Sequence, residues 1–380
     1  MQNNKLRMAI RATAAVTVLG LASQAQAFNL NAGDVDASLY GYVRMNASYD
    51  MDADIADSSQ SGSFGDLARS NDEIDGHFGA SAQQSRFGFT ATHSEGVKVN
   101  VEGDFYGGDF RLRHAYGQYE NWLIGQTWSN YNSFVGNTSV LDFTGQAGWA
   151  GYQLRSVQAR YTSGPFSFSV EENKGSIYDG WDTAEGEANT LSTAKNSMPT
   201  FTVRMEDSTG AVSYSAAALM KQVSYDDGSD DDSAIGFAAF GALKFQLTDM
   251  VTVQGALNYG NGANSYVYLS GANDAYLDGD SLETITTYGG SIGTGISLGG
   301  GRSINLGYGM TKADWDDAED DNIPGVANAQ ETNQNVFLNY QWTPVKNTMM
   351  GVEYGYWDTE NVDGDSKDAN RIMFAAQYNF

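Results

Sequence analysis

The sequence predicts an all-β protein: a transmembrane antiparallel β-barrel of about sixteen strands, with short periplasmic turns and long acidic extracellular loops. Three observations carry this expectation. Segments of the length that crosses a bilayer as a strand recur, each with one apolar face. The links between them alternate between short turns and longer acidic stretches. The composition is rich in Gly (44 of 380 residues) and Tyr (22) and poor in Pro (4), which suits long strands and tight turns rather than helices. The mean hydropathy of −0.40 is compatible with a barrel, because alternating strands average out to an unremarkable value.

The first residues are read separately. Lys5, Arg7 and Arg11 form a basic leader, an apolar run spans 14–22, and Ala25-Gln26-Ala27 is a small-x-small cleavage site. This is the pattern of a secretory signal peptide over residues 1–27, leaving 28–380 as a single barrel domain. The chain is therefore expected to leave the cytoplasm. It holds no Cys, so no disulfide supports it outside. No second apolar stretch reaches the ~18–20 residues of a transmembrane helix.

Strand by strand, the alternation is regular. In "LYGYVRMNASYD", Leu39, Val43, Met45, Ala47 and Tyr49 share one face, with Tyr40, Tyr42, Arg44, Asn46 and Ser48 on the other. "SRFGFTATH" sets Phe87, Phe89 and Ala91 against Arg86, Thr90 and Thr92. "VKVNVEGDFY" sets Val97, Val99, Val101 and Phe105 against Lys98, Asn100, Glu102 and Asp104. "FTVRMED", "RSINLGYGM" and "RIMFAAQYNF" repeat the pattern further on. The last of these ends on a terminal Phe380 after Ile372, Phe374, Ala376 and Tyr378, as barrel strands read by envelope assembly machinery do.

Short links are expected near 93–96, 120, 162–165, 206–211, 247–250, 298–302 and 343–348. Longer acidic links are expected at 50–80, 173–198, 226–232, 267–282, 315–331 and 358–369, with "YGGD" as a brief exception. An even strand number puts both termini on the short-turn side, and a barrel of this size has room for a water-filled lumen. The stretch 130–152, which opens "NYNSFVGNTSVLDFTGQAGWAG", follows the fifth strand and is too rich in turn residues to span. It is expected to be the third loop, folded into the lumen.

The stretch from Ser85 to Tyr161 carries "SRFGF", "VEGDFYGG", "FRLRHAY", "NWLIGQTWS", "DFTGQAG" and "QARYT". It resembles the DcaP-like porins of Gram-negative outer membranes, and the strand at 39–50 resembles their first strand. The specific likeness covers roughly residues 38–172, and the remainder fits by architecture. The resemblance implies an outer-membrane location, a homotrimer and a passive channel preferring anions such as dicarboxylates. One departure is visible. Such porins can carry a coiled-coil segment before the barrel, whereas only "FNLNAGDVDAS" stands here between the cleavage site and the first strand. That is too short for heptads.

The residues support the same class. The chain has 47 Asp and Glu against 21 Lys and Arg, yet Arg111 and Arg113 stand two apart in "FRLRHAY". A basic side chain facing lipid at the bilayer midplane costs about 2–4 kcal/mol, so alternation directs both arginines into the lumen. The same parity directs Arg44, Arg86, Lys98, Arg160, Arg204 and Arg371 inward. Phe110, Leu112, His114 and Tyr116 are then expected to face out, His114 at a subunit contact or a strand end. Eight of the ten arginines after the leader lie before residue 205, which predicts a basic wall. Arg can hold a carboxylate through two hydrogen bonds. Each contact in a wet pore is worth on the order of 1 kcal/mol, weak enough for release. The rival role for any one arginine is to brace the wall against Glu102 or Asp104. Asp142, in the expected constriction loop, either faces the basic wall or is an ordinary turn residue.

Other signals are weaker. The acidic runs "DMDADIAD", "DDGSDDDS" and "DDAEDD" lack a complete calcium-loop pattern. They are read as solvated loops, ahead of weak Ca²⁺ sites or contacts with lipopolysaccharide. No resident cofactor is expected. The three His are at dissimilar positions, no His/Cys metal cluster or Ser-His-acid set is evident, and no basic exterior suggests nucleic acid. An enzyme is therefore not expected; a barrel lipase would have to use His114. The nearest alternative function is a general or cation-preferring porin governed by the acidic loops.

Overall fold

The computed structural model describes residues 28–53, 55, 58–69, 76–182, 187–191 and 195–380. The expected leader, 1–27, lies outside the described residues. The strands are β1 (Phe28–Ala32), β2 (Val35–Asp50), β3 (His77–Ser81), β4 (Arg86–His93), β5 (Lys98–Asp104), β6 (Arg111–Tyr119), β7 (Trp122–Trp128), β8 (Arg155–Ser163), β9 (Phe166–Glu171), β10 (Ile177–Asp182) and β11 (Glu187–Thr190). They continue as β12 (Thr200–Thr209), β13 (Val212–Asp226), β14 (Asp231–Gln246), β15 (Val251–Asn261), β16 (Ala275–Asp278), β17 (Ser281–Thr284), β18 (Thr286–Gly299), β19 (Arg302–Asp314), β20 (Gln330–Trp342), β21 (Thr348–Asn361) and β22 (Ser366–Asn379). Two short helices, α1 (Phe64–Arg69) and α2 (Asp316–Asp320), lie in loops.

Sixteen wall positions close into an antiparallel barrel. The order runs β2, β4, β5, β6, β7, β8, β9, β12, β13, β14, β15, β18, β19, β20, β21, β22 and back to β2. β3 continues the line of β4 along the upper half of β2. β1 pairs with the start of β2 beside the end of β22, where Gly41 and Phe380 exchange backbone hydrogen bonds. Closure leaves no unpaired edge in the bilayer, which is why an alternating sequence can cross it.

The burial pattern follows the expected parity. Along β2, Val43, Met45 and Tyr49 are exposed on the outer face, while Arg44, Asn46, Ser48 and Asp50 are buried inside. Short turns join the strands at one rim, such as 247–250 between β14 and β15. At the other rim the described residues form eight loops, named by their bounds: L1 (51–76), L2 (105–110), L3 (129–154), L4 (172–199), L5 (227–230), L6 (262–285), L7 (315–329) and L8 (362–365). L5 and L8 depart from the long loops expected at 226–232 and 358–369. Asp226 pairs with Asp231 and Glu360 with Ser366. The strands around these hairpins have 15, 16, 14 and 14 residues, more than the ~9–11 a bilayer needs. The ladder climbs past the membrane and uses up the loop.

The long-loop rim has structure of its own. β10, β11, β16 and β17 form a small sheet from L4 and L6. Beneath it the fully buried Lys221 ammonium of β13 meets the Asp274 carboxylate and the Lys174 carbonyl. A side chain at Gly175 would occupy the space of that pair.

Candidate pore constriction

L3 lies inside the barrel, and the far wall is built to receive it. Its two ends pack Tyr131, Val135 and Ala150 on Ala217, Leu219, Ala238, Phe240 and Ala256 of β13–β15. Between them, glycines take the place of lumen-facing side chains. A Cβ on Gly293, Gly307 or Gly309 would collide with Thr138, Gln146 or Ala147 of the loop. Gly148, at φ 67°, lies against the Gly290 backbone, an approach a side chain would block.

Asparagines on the wall then hold the loop backbone. Gly151 N donates to Asn258 Oδ1 at 2.9 Å, and Asn258 Nδ2 donates to Gly148 O at 2.8 Å. Asn335 does the same for Ala147 N and Gly145 O, both at 3.0 Å. A carboxamide carries one acceptor and one donor group, so it matches a strandless backbone as another peptide would.

The loop tip is held by charge. The Glu353 carboxylate of β21 accepts the backbone N–H groups of Leu141 (2.7 Å) and Asp142 (2.8 Å). Asp142 is itself buried, and its carboxylate accepts the N–H groups of Gly62, Thr144 and Gly145 at 2.8–2.9 Å. It ties L1 to L3 through backbone amides and, among the described residues, forms no ion pair with the basic side chains. Burial pushes its carboxyl up to about 6, while those amides and the nearby Arg371 pull it down.

The expected lumen cations divide into two groups. Arg44 donates to Asn46 at 2.9 Å and to the Leu141 carbonyl, so it fixes the L3 tip. Arg371 holds Asp50 through two nitrogens and also donates to the carbonyls of Ser58 and Ser61 in L1. Both are buried. Arg160 and Arg204 donate to the carbonyls of Trp128 and Asn132, at the root of L3. Lys98 is partly exposed near the short turns.

Arg86, Arg111 and Arg113 come together on β4 and β6. Arg86 and Arg113 lie 3.2 Å from Glu102, Arg113 2.8 Å and Arg111 2.6 Å from Asp104. Arg113 is 1% exposed and Arg111 keeps 38% of its side-chain surface. Arg111 also lies over Tyr106, at 4.5 Å from the ring centroid. Tyr106 in turn stacks on Phe143 of the L3 tip at 4.6 Å. The basic wall and the loop therefore meet through aromatic rings.

Two orientations on β6 differ from the alternation. Glu102 pairs with His114 but Gly103 pairs with Leu112, so Arg113 is an extra residue, a β-bulge. Leu112 stays outside, and Arg113 and His114 both turn inward. His114 Nδ1 lies 3.0 Å from the Thr127 hydroxyl, and the ring is buried. Tyr116, opposite Asn100, is inside as well. Gln126 Nε2 donates at 3.2 Å to the carbonyls of both Leu112 and Arg113. A glutamine on an outer face beside Trp122 and Ile124 is the sequence signal for this irregularity.

One further cation was not singled out by the sequence. Arg155, the first residue of β8, rests on Trp128 at 4.8 Å. It has the wrong parity against Arg160 to be assigned inward, but it stands at a strand end, where parity no longer binds. Among the described residues its side chain has neither an ion-pair nor a hydrogen-bond partner. Three guanidinium groups thus share two carboxylates, and a fourth stands uncompensated beside them. Among the described residues no group of acidic or His side chains is placed to hold a metal ion.

A sequence model of the DcaP outer membrane protein family matches residues 2–380. No curated protein matches the sequence. Among solved structures, the outer membrane channel DcaP of Acinetobacter baumannii is similar at 28% identity and a TM-score of 0.77, with 93% of this chain and 99% of that one covered. An anion-selective porin from Comamonas acidovorans is 14% identical, TM-score 0.60, over 91% of this chain and 100% of its own. OmpT, an outer membrane protein of Vibrio cholerae in its trimer form, is 14% identical, TM-score 0.55, over 92% and 100%. The last two share the fold.

Proposed function

This chain belongs to the DcaP outer membrane protein family and is a channel of the Gram-negative outer membrane; from that premise we propose that it is a passive diffusion porin preferring small anions, dicarboxylates among them. The carrying observation is the imbalance on the β4–β8 wall, where Arg155 has no counter-charge and Arg111 stays partly exposed. A hydrated carboxylate passing L3 meets Arg155 first as an unpaired donor fork, and Arg111 offers a second contact beside it. Two such groups suit a solute with two carboxylates. Each contact is screened by water and worth on the order of 1 kcal/mol, so solutes are drawn in without being trapped. No residue is assigned a catalytic role.

The reading extends to assembly. A homotrimer is proposed, supported by the trimer form of the OmpT likeness. The apolar outer face would meet outer-membrane lipid, with lipopolysaccharide at the long-loop rim.

Reversal potentials across planar bilayers in a KCl gradient test the proposal, with chloride expected to be the more permeant ion. Liposome swelling should be faster with succinate than with a neutral solute of equal size. A cation-selective reversal potential, unchanged by neutralising Arg111 and Arg155, would overturn the proposal. It would favour control by acidic loop residues such as Asp316–Asp320 of L7.

A further inference from the structure

L1, L2, L3 and L6 converge on a chamber of about 420 Å³ that the basic wall does not explain. Its polar lining comes from the hydroxyls of Ser61, Ser63, Tyr106 and Thr144 and the carboxamide of Gln330, while Asn333, which also borders it, spends its amide on the Leu269 and Ser270 carbonyls and its oxygen on the Thr359 hydroxyl. Phe64 and Trp357 add aromatic carbon. Among the described residues no Lys, Arg or His is part of its lining, and the one carboxylate there, Asp66, is paired with Arg69. Among the described residues only Tyr106 belongs both to this chamber and to the Arg111 contact.

We propose that this chamber is a binding site for a neutral polyhydroxylated solute of mono- or disaccharide size. The volume lies within the range of small-molecule sites, about 300–1,000 Å³. The Asp66–Arg69 pair leaves the lining without a spare cation, so an ionised carboxylate would enter with nothing to replace its hydration and is disfavoured. A polyol brings hydroxyls that both donate and accept, which is what Ser, Thr, Tyr and Gln side chains satisfy. Its C–H faces can lie on the aromatic carbon. Gly271 keeps the site open: a side chain there would run into Gln330 and Asn333. The site goes beyond anion preference and does not depend on it.

The test uses the full chain in planar bilayers, titrated with sucrose in KCl. Excess current noise that saturates with sucrose concentration is expected. Gln330→Leu should weaken the sucrose affinity about tenfold, and Thr144→Phe, which fills the chamber, should abolish the saturable noise. Succinate titrated in the same way reads the arginine wall and should respond equally in the wild type and in Gln330→Leu. Should Thr144→Phe fail to fold, Gln330→Leu alone decides. Sucrose effects that only track viscosity overturn the proposal. So does unchanged sucrose affinity in Gln330→Leu, or a parallel loss of the succinate response in that variant.

Discussion

Arg113 Nη1 donates to Asp104 Oδ2 at 2.8 Å, and both side chains are all but withdrawn from water. A pair buried this well cannot lend its charge to a passing solute. Removing Arg113 takes from the buried Asp104 one of its two guanidinium partners and leaves Arg111 as the other, so the cost is part of the about 3–5 kcal/mol that breaking an isolated buried pair carries. Arg113→Gln is therefore expected to lower the melting temperature in detergent markedly while moving the reversal potential little. A full loss of anion preference with unchanged melting would assign Arg113 to selectivity instead.

Arg155 should behave in the opposite way. It has no ion pair to break, and its half-buried contact with Trp128 at 4.8 Å is worth about 1 kcal/mol. Arg155→Gln should leave stability nearly unchanged and shift the reversal potential toward cations. Rates of succinate-driven liposome swelling should fall several-fold. Equal swelling rates for variant and wild type would remove Arg155 from the permeation path.

How far these two residues were legible in the sequence shows what alternation can and cannot say. The lipid cost alone directs Arg111 and Arg113 inward, and both are inside. Alternation could not place His114 and Tyr116, because a one-residue bulge inverts every position after it and nothing within "FRLRHAY" marks it. It could not separate Arg155 from Arg113 in role either, since that depends on which carboxylates face which guanidinium groups across strands. The sixteen-strand closure was accessible because turn spacing and face polarity are local. L5 and L8 were misjudged because acidic residues suit a loop and the tall end of a strand equally well. The asparagines that hold L3 read as ordinary lumen residues until the loop is in place.

The glycine wall yields a packing prediction. At Gly309 a Cβ would run into the Ala147 backbone of L3. The Ala147 N–H is held at 3.0 Å by Asn335, the residue directly opposite Gly309 on β20, so the loop cannot lift off the wall without losing that bond. Gly309→Val should destabilise the barrel by about 1–3 kcal/mol and change the single-channel conductance, because L3 must shift within the lumen. Gly241 offers the control, since nothing lies within 4 Å of its added Cβ. If Gly241→Ala and Gly309→Val give the same conductance and melting temperature, L3 does not lie flush on β19.

Asp142 gives a pH prediction whose sign follows from its surroundings. Burial raises its carboxyl to about 6, above the ordinary range near ~4. Between these values the folded state holds a proton that the unfolded chain has released. Proton uptake therefore favours folding as the pH falls through 6, and this contribution is absent at pH 7. Asp142→Asn removes the titration but also gives up one of the two oxygens that accept from Gly62, Thr144 and Gly145. The wild type should melt above the variant at pH 7, and the gap should widen toward pH 5 by on the order of 1–3 kcal/mol. A gap that narrows with acid would mean that ionised Asp142 stabilises the L1–L3 tie more than its burial opposes it.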